Sequence, residues 1–151
     1  MDEKSLRSLS PLDGRYHEKT QATREIFSEL GLIKHRLKVE VEWLKYFLNN
    51  FREDLLTPEV TKQLEQLSSK LPDSLALKVK EIEKTTNHDV KAVELALAEE
   101  FDSSEDVQSL IHIFLTSEDV NSVSYALMLK DIHNSALSWL EDIRLKLRDL
   151  A

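Results

Sequence analysis

Apolar side chains recur through most of this chain at intervals of three and four residues, the repeat that gathers them onto one face of an α-helix. Ala22, Ile26 and Leu30 mark a first helix over about 17–30, and Gly31 stands where a left-handed residue often closes a helix. A longer helix is expected over about 32–51. Its stripe is Ile33, Leu37, Val41, Leu44, Leu48 and Phe51, widened by Trp43 and Phe47 into the broad buried face of a globular helical domain. Thr57-Pro58 pairs a cap with a proline at the first helical position, so another helix opens there. It turns Leu64 and Leu67 inward until Ser68-Ser69 and Leu71-Pro72 end it. Asp73 can cap the next helix, along which Leu75, Val79 and Ile82 recur, and beyond a polar interruption Val90, Val93, Leu97 and Phe101 resume the repeat.

Asp102-Ser103-Ser104-Glu105 is a second polar break, built like a capping box with Asp in place of Ser or Thr. A short helix then carries Val107, Leu110, Ile111 and Phe114. From Thr116-Ser117, either of which can cap, nothing interrupts a helix to Ala151, a length of roughly 50 Å at about 1.5 Å per residue. Its distal half spaces Ala136, Leu140, Ile143, Leu147 and Leu150 as an a/d seam for which the sequence supplies no partner. Such a seam implies oligomerisation or a piece of something longer. The expected fold class is all-α, with residues 1–115 as a helical domain and 116–151 as one long helix whose seam calls for other helices.

Composition agrees. Two glycines and three prolines in 151 residues leave little of the turn chemistry that sheets need, and 41% hydrophobic residues argue against disorder. A net charge of −8 argues against a nucleic-acid surface, which requires clustered Lys and Arg. With no cysteine, disulfides and thiolate chemistry are excluded. Met1-Asp2-Glu3-Lys4 lacks the apolar core of a signal peptide, and no apolar run approaches the roughly 20 residues of a membrane span, so the cytoplasm is the expected compartment. The five histidines show no ligand spacing, and neither a metal nor a cofactor is expected. His35 and His112 read as packing or surface residues.

Three polar strings carry the candidate chemistry. The first runs Lys84-Thr85-Thr86-Asn87-His88-Asp89-Val90-Lys91-Ala92-Val93-Glu94, between two helical patterns. Asn87 can cap the second helix, which puts His88 and Asp89 in its first turn beside free N–H groups that attract anions. Read blandly, this is an Asn-capped helix with an exposed histidine. The second string is Ser10-Pro11-Leu12-Asp13-Gly14-Arg15-Tyr16, a turn on an irregular arm over 1–16, where Arg15 offers a fork for phosphate or carboxylate. Its bland reading is a turn with two surface side chains. The third, Thr116-Ser117-Glu118-Asp119-Val120-Asn121, is a helix start with acids that complement the dipole.

In this order and spacing, the three strings closely resemble segments of bacterial-type adenylosuccinate lyase, a family of the fumarase/aspartase superfamily. The resemblance covers almost the whole chain but roughly the first third of a family member. It implies β-elimination of fumarate from adenylosuccinate, giving AMP, and from succinylated aminoimidazole carboxamide ribotide (SAICAR). It also implies that Arg15 and Tyr16 contact the nucleotide phosphate, that Asn87, His88, Asp89, Thr116 and Ser117 bind substrate, and that His88 is the family's second active-site histidine. Family members draw the acid from a Thr-His-Gly-Gln segment and the base from a Ser-Ser-x-Met-Pro-x-Lys loop, and neither string occurs here. Their sites pool residues of three subunits in a homotetramer, so this chain is expected to be inactive by itself. Lys84 stands where the family usually has Arg, and Val120 and Ser122 where it has Ile and Asn. A different superfamily lyase and a non-enzymatic helical interaction module are the competing readings.

Overall fold

The computed structural model describes residues 8–102 and 104–150. Met1–Arg7, Ser103 and Ala151, and with them the start of the expected arm, lie outside the described residues. The described residues form α-helices joined by turns and short 3-10 segments, with no strand.

A 3-10 turn at Glu18–Thr20 leads into α1 (Gln21–Phe27), and α2 (Glu29–Phe51) follows almost at once. The single helix expected over 17–30 is therefore broken. Ser28 adopts an extended ψ of 169° and its side chain accepts the Gly31 N–H, starting a new helix. Gly31 consequently lies inside α2, not at a left-handed helix end. Its lack of a side chain matters for another reason: a Cβ there would stand 2.2 Å from the Ile26 carbonyl oxygen. Ala22, expected inside, faces solvent.

Within α2, Ile33, Leu37, Val41, Leu44, Phe47 and Leu48 are buried as their spacing requires, whereas Phe51, at the last turn, is exposed. Next comes α3 (Pro58–Ser69), capped by Thr57 accepting from Val60 N and burying Val60, Leu64 and Leu67. Pro72, not Asp73, occupies the cap of α4 (Asp73–Thr86), and the Asp73 carboxylate instead pairs with Lys34 at 2.5 Å. A tight reversal at Asn87 joins α4 to α5 (Asp89–Ala98), which contributes Val90, Val93 and Leu97 to the core. The cap of α6 (Glu105–Gln108) is Ser104, not Asp102, and this helix is shorter than expected. Leu110–Leu115 run on as turns in which His112 and Phe114 take φ of 64° and 61°. Phe114 is thereby thrown outward, 82% exposed.

The last helix, α7 (Ser117–Leu150), is 34 residues long. Its proximal half buries Val120, Ser124 and Met128 against the rest; the seam residues Leu140, Ile143, Leu147 and Leu150 are exposed. The centre of the fold is α2, which packs on α1, α3, α4, α5 and α7. Burying such helices on several sides removes enough apolar area to order a chain of this size.

Candidate functional site

Because α2 touches so many neighbours, polar residues on its buried face must find partners on other elements. It carries three. His35 donates from Nδ1 to the Gly31 carbonyl at 2.7 Å, and its Nε2 lies 3.1 Å from Asp131 Oδ2 on α7. One residue on, the buried Arg36 sets its guanidinium between two helix starts. Its Nη2 is 2.7 Å from Asp89 Oδ2 at the head of α5, and its Nε donates to Asn121 Oδ1 in the first turns of α7 at 2.9 Å. A turn later, the fully buried Glu40 places Oε1 2.6 Å from Nδ1 of His112. The other histidine nitrogen is 3.6 Å from Glu94 Oε1, and Glu94 in turn holds Lys91 Nζ at 2.6 Å.

The structure thus joins two of the three strings. Arg36 is the bond between Asn87-His88-Asp89 and Thr116–Asn121, since an unpaired buried guanidinium would be strongly unfavourable. Burial pushes the Asp89 carboxyl up, but the Val90 N–H and the Arg36 charge outweigh it and hold Asp89 below the usual aspartate range. Asp89 is committed to this pair and to the Val90 N–H, with its side chain still half-exposed.

Asn87 differs from its expected role. It closes α4 in the left-handed region, with φ 50° and its N–H on the Glu83 carbonyl, and the cap of α5 is His88. Nδ1 of His88 accepts the Lys91 backbone N–H at 3.1 Å. A nitrogen that accepts from a backbone amide bears no proton, so the neutral ring carries its hydrogen on Nε2. The ring is half-exposed. His88 therefore presents an N–H donor beside the positive end of α5, an arrangement suited to carboxylate or phosphate oxygens.

At the start of α7, Thr116 and Asp119 cap each other. Thr116 N and Oγ1 donate to Asp119 Oδ2 at 2.8 and 2.7 Å, and the Asp119 N–H returns to Thr116 Oγ1 at 3.3 Å. Hydrogen bonds from Thr116 hold the Asp119 carboxyl below its usual range. Ser117 is the first helical residue.

The Ser10–Tyr16 string stands apart: among the described residues, no hydrogen bond or ion pair links it to either helix start. Arg24 of α1 organises it instead. Its guanidinium donates to the Leu12 carbonyl at 3.1 Å and to Thr20 Oγ1 at 2.9 Å, touches the His17 ring and approaches Asp13. Arg15 and Tyr16 are exposed on the resulting turn, and Lys19 lies over the Tyr16 ring at 5.8 Å. Among the described residues, no three His, Asp or Glu side chains have a metal-binding arrangement.

Sequence reasoning gave no role to Arg24, Arg36 or Glu40, named Glu94 only as the end of the first string, and read His112 as a packing or surface residue. One signal was present: Arg36 and Glu40 stand four apart, flanking Leu37 and Val41 of the buried stripe, where a solvated charge has no room.

Comparison with known proteins bears on this arrangement. The chain is 41% identical over 143 residues to adenylosuccinate lyase of Vibrio cholerae serotype O1, and likewise to that of Escherichia coli K12, covering 91% of this chain and 31% of each relative. Adenylosuccinate lyase of Legionella pneumophila strain Corby is 43% identical over 132 residues, which is 83% of this chain and 29% of that protein. The chain spans about a third of the length of the curated relatives it matches. No protein-family model matches it.

Proposed function

We infer, for a chain related to the adenylosuccinate lyases over 91% of its own length, that it forms part of the substrate-binding surface of such an enzyme. The reaction is elimination of fumarate from adenylosuccinate, and from SAICAR. In this reading His88 donates from Nε2 to a substrate oxygen, Thr116 and Ser117 bind at the head of α7, and Arg15 with Tyr16 takes the phosphate. Asn87 and Asp89 flank His88, one setting the chain reversal and the other anchoring the corner to Arg36. The observation that carries the reading is the Arg36 bridge, which gathers two lyase-like strings into one place while leaving the His88 ring accessible.

The chain holds no Thr-His-Gly-Gln or Ser-Ser-x-Met-Pro string for the acid and base. Acid–base groups contribute about 10²–10⁴ each in rate, so the chain by itself is expected to release no fumarate. Completion falls to a homo-oligomer, a tetramer as in the family, joined through the distal half of α7, with residues 116–151 as the first bundle helix. The compartment is the cytoplasm, where nucleotide substrates of this class are made. No helix of the described residues is long and apolar enough to cross a membrane.

The test is complementation. Mixed with a full-length lyase damaged in its Asn-His-Asp string, the chain is expected to restore fumarate release, and the chain carrying His88→Ala is not. Turnover by the isolated chain, or rescue that survives His88→Ala, would overturn the reading.

A further inference from the structure

Glu40 has no part in the reading above, yet no exposed surface remains on it. One of its oxygens meets His112 at 2.6 Å; the other, Oε2, is buried without a hydrogen-bond partner. A carboxyl so placed is unfavourable where an unbranched apolar side chain of similar size would pack without penalty. Burial, followed by the nearby Glu94 charge, accordingly pushes its pKa above the usual glutamate value, against the pull of His112.

What the carboxyl touches explains its presence. His112 sits at φ 64°, a conformation that a histidine adopts infrequently and that needs outside support. Glu40 supports the ring from α2 and Glu94 from α5. Trp43, one turn beyond Glu40, donates from Nε1 to the Ile113 carbonyl at 2.8 Å. The Leu115 N–H then returns to the His112 carbonyl at 3.1 Å, and the next residue is Thr116.

We propose that Glu40 is a positioning residue of the site: through His112 it sets the turn over 112–116, and with it the place where Thr116 and Ser117 begin α7. The binding consequence rests on the reading of Thr116 and Ser117 given above; the placement of the turn does not.

Nuclear magnetic resonance on the full chain tests both. In the wild type, a hydrogen bond as short as Glu40–His112 is expected to give an imidazole proton far downfield and protected from exchange. Glu40→Met fills the same space without an acceptor. It is expected to abolish that resonance and move the backbone amides of Leu115–Asp119, while amides of α3 stay in place. Glu40→Gln, which retains an acceptor, is expected to return those amides close to their wild-type positions with the imidazole proton less downfield. A role as mere filling predicts that Glu40→Met leaves the turn unmoved, and that result would sink the proposal. Should Glu40→Met fail to fold, Glu40→Gln decides, since an unshifted imidazole proton there is equally fatal.

Adding AMP separates the two claims. Wild-type amides of Ser117 and Lys91 that ignore AMP refute the substrate-binding reading, and the ligand-free spectra still judge Glu40. AMP that binds wild type and Glu40→Met equally refutes the positioning role. The expected outcome is affinity weakened about tenfold or more, as small misplacements of binding groups produce.

Discussion

The proposed binding role of His88 and its capping role use different nitrogens, and a substitution can separate them. Nδ1 caps α5 and leaves Nε2 uncommitted to that bond on a half-exposed ring, so His88→Ala removes both nitrogens and His88→Asn keeps the cap, asparagine being a good capping residue. Chemical denaturation is expected to show a loss of about 0.5–2 kcal/mol for His88→Ala and little change for His88→Asn, with neither variant supporting complementation. A His88→Asn chain that complements as well as wild type would mean that the second nitrogen is idle. Glu40 gives a pH signature of its own. Because its native pKa is raised, the folded state binds that proton more tightly than the unfolded chain does. Its favourable contribution is thus complete below the ordinary glutamate value and is lost as pH rises through the raised native one. The groups facing it are His112 from the turn and Glu94 from α5, with Arg36 a turn away on α2. Relative to wild type, Glu40→Gln is expected to gain stability as pH rises across that window, and denaturation midpoints at several pH values check it. A difference independent of pH would show that the carboxyl titrates normally.

At the scale of elements, the boundaries between helices depend on residues that admit two readings. Asn87 is as good at ending a helix in the left-handed region as at capping one, and the structure uses the first property. Asn87→Gly is therefore expected to leave stability nearly unchanged. Asn87→Val, which tolerates φ near 50° poorly, is expected to cost about 1–2 kcal/mol by the same denaturation assay. Gly31 has the same ambiguity, between helix-ending freedom and close approach, and only its contact with the Ile26 carbonyl resolves it. The stripes themselves were legible. Ile33, Leu37, Val41, Leu44 and Leu48 announce their buried face because burial and helical repeat are local properties. The charged network was not, since Arg36 meets Asn121 across 85 positions and Glu40 meets His112 across 72, distances over which no periodicity speaks. His88 and Thr116–Ser117 were visible as strings; that Arg36 unites them was not.

For the molecule as a whole, α7 divides the chain into a packed part and a projecting one. Asp131, bonded to His35, is the last residue of α7 with a polar tie to another helix among the described residues, and the seam beyond it is bare. Leaving such side chains in water costs about 1.5–3 kcal/mol each relative to burial. Sedimentation is expected to show self-association that Leu140→Lys with Leu147→Lys abolishes, while circular dichroism keeps the helical signal. A wild-type chain that stays monomeric at high concentration would contradict this. The depth of α2 carries a different consequence, one for the chain as it leaves the ribosome. Arg36 and Glu40 emerge well before the residues that neutralise their burial, Asp89 for the first and His112 for the second. At roughly 5–20 residues per second, the 72 positions from Glu40 to His112 take about 4–14 s to make. Throughout that interval α2 has its apolar partners in α1, α3 and α4 while Glu40 lacks its histidine, so the carboxyl must stay hydrated and the core around it unsealed. The core around Glu40 consequently closes only once the turn over 112–116 has been made.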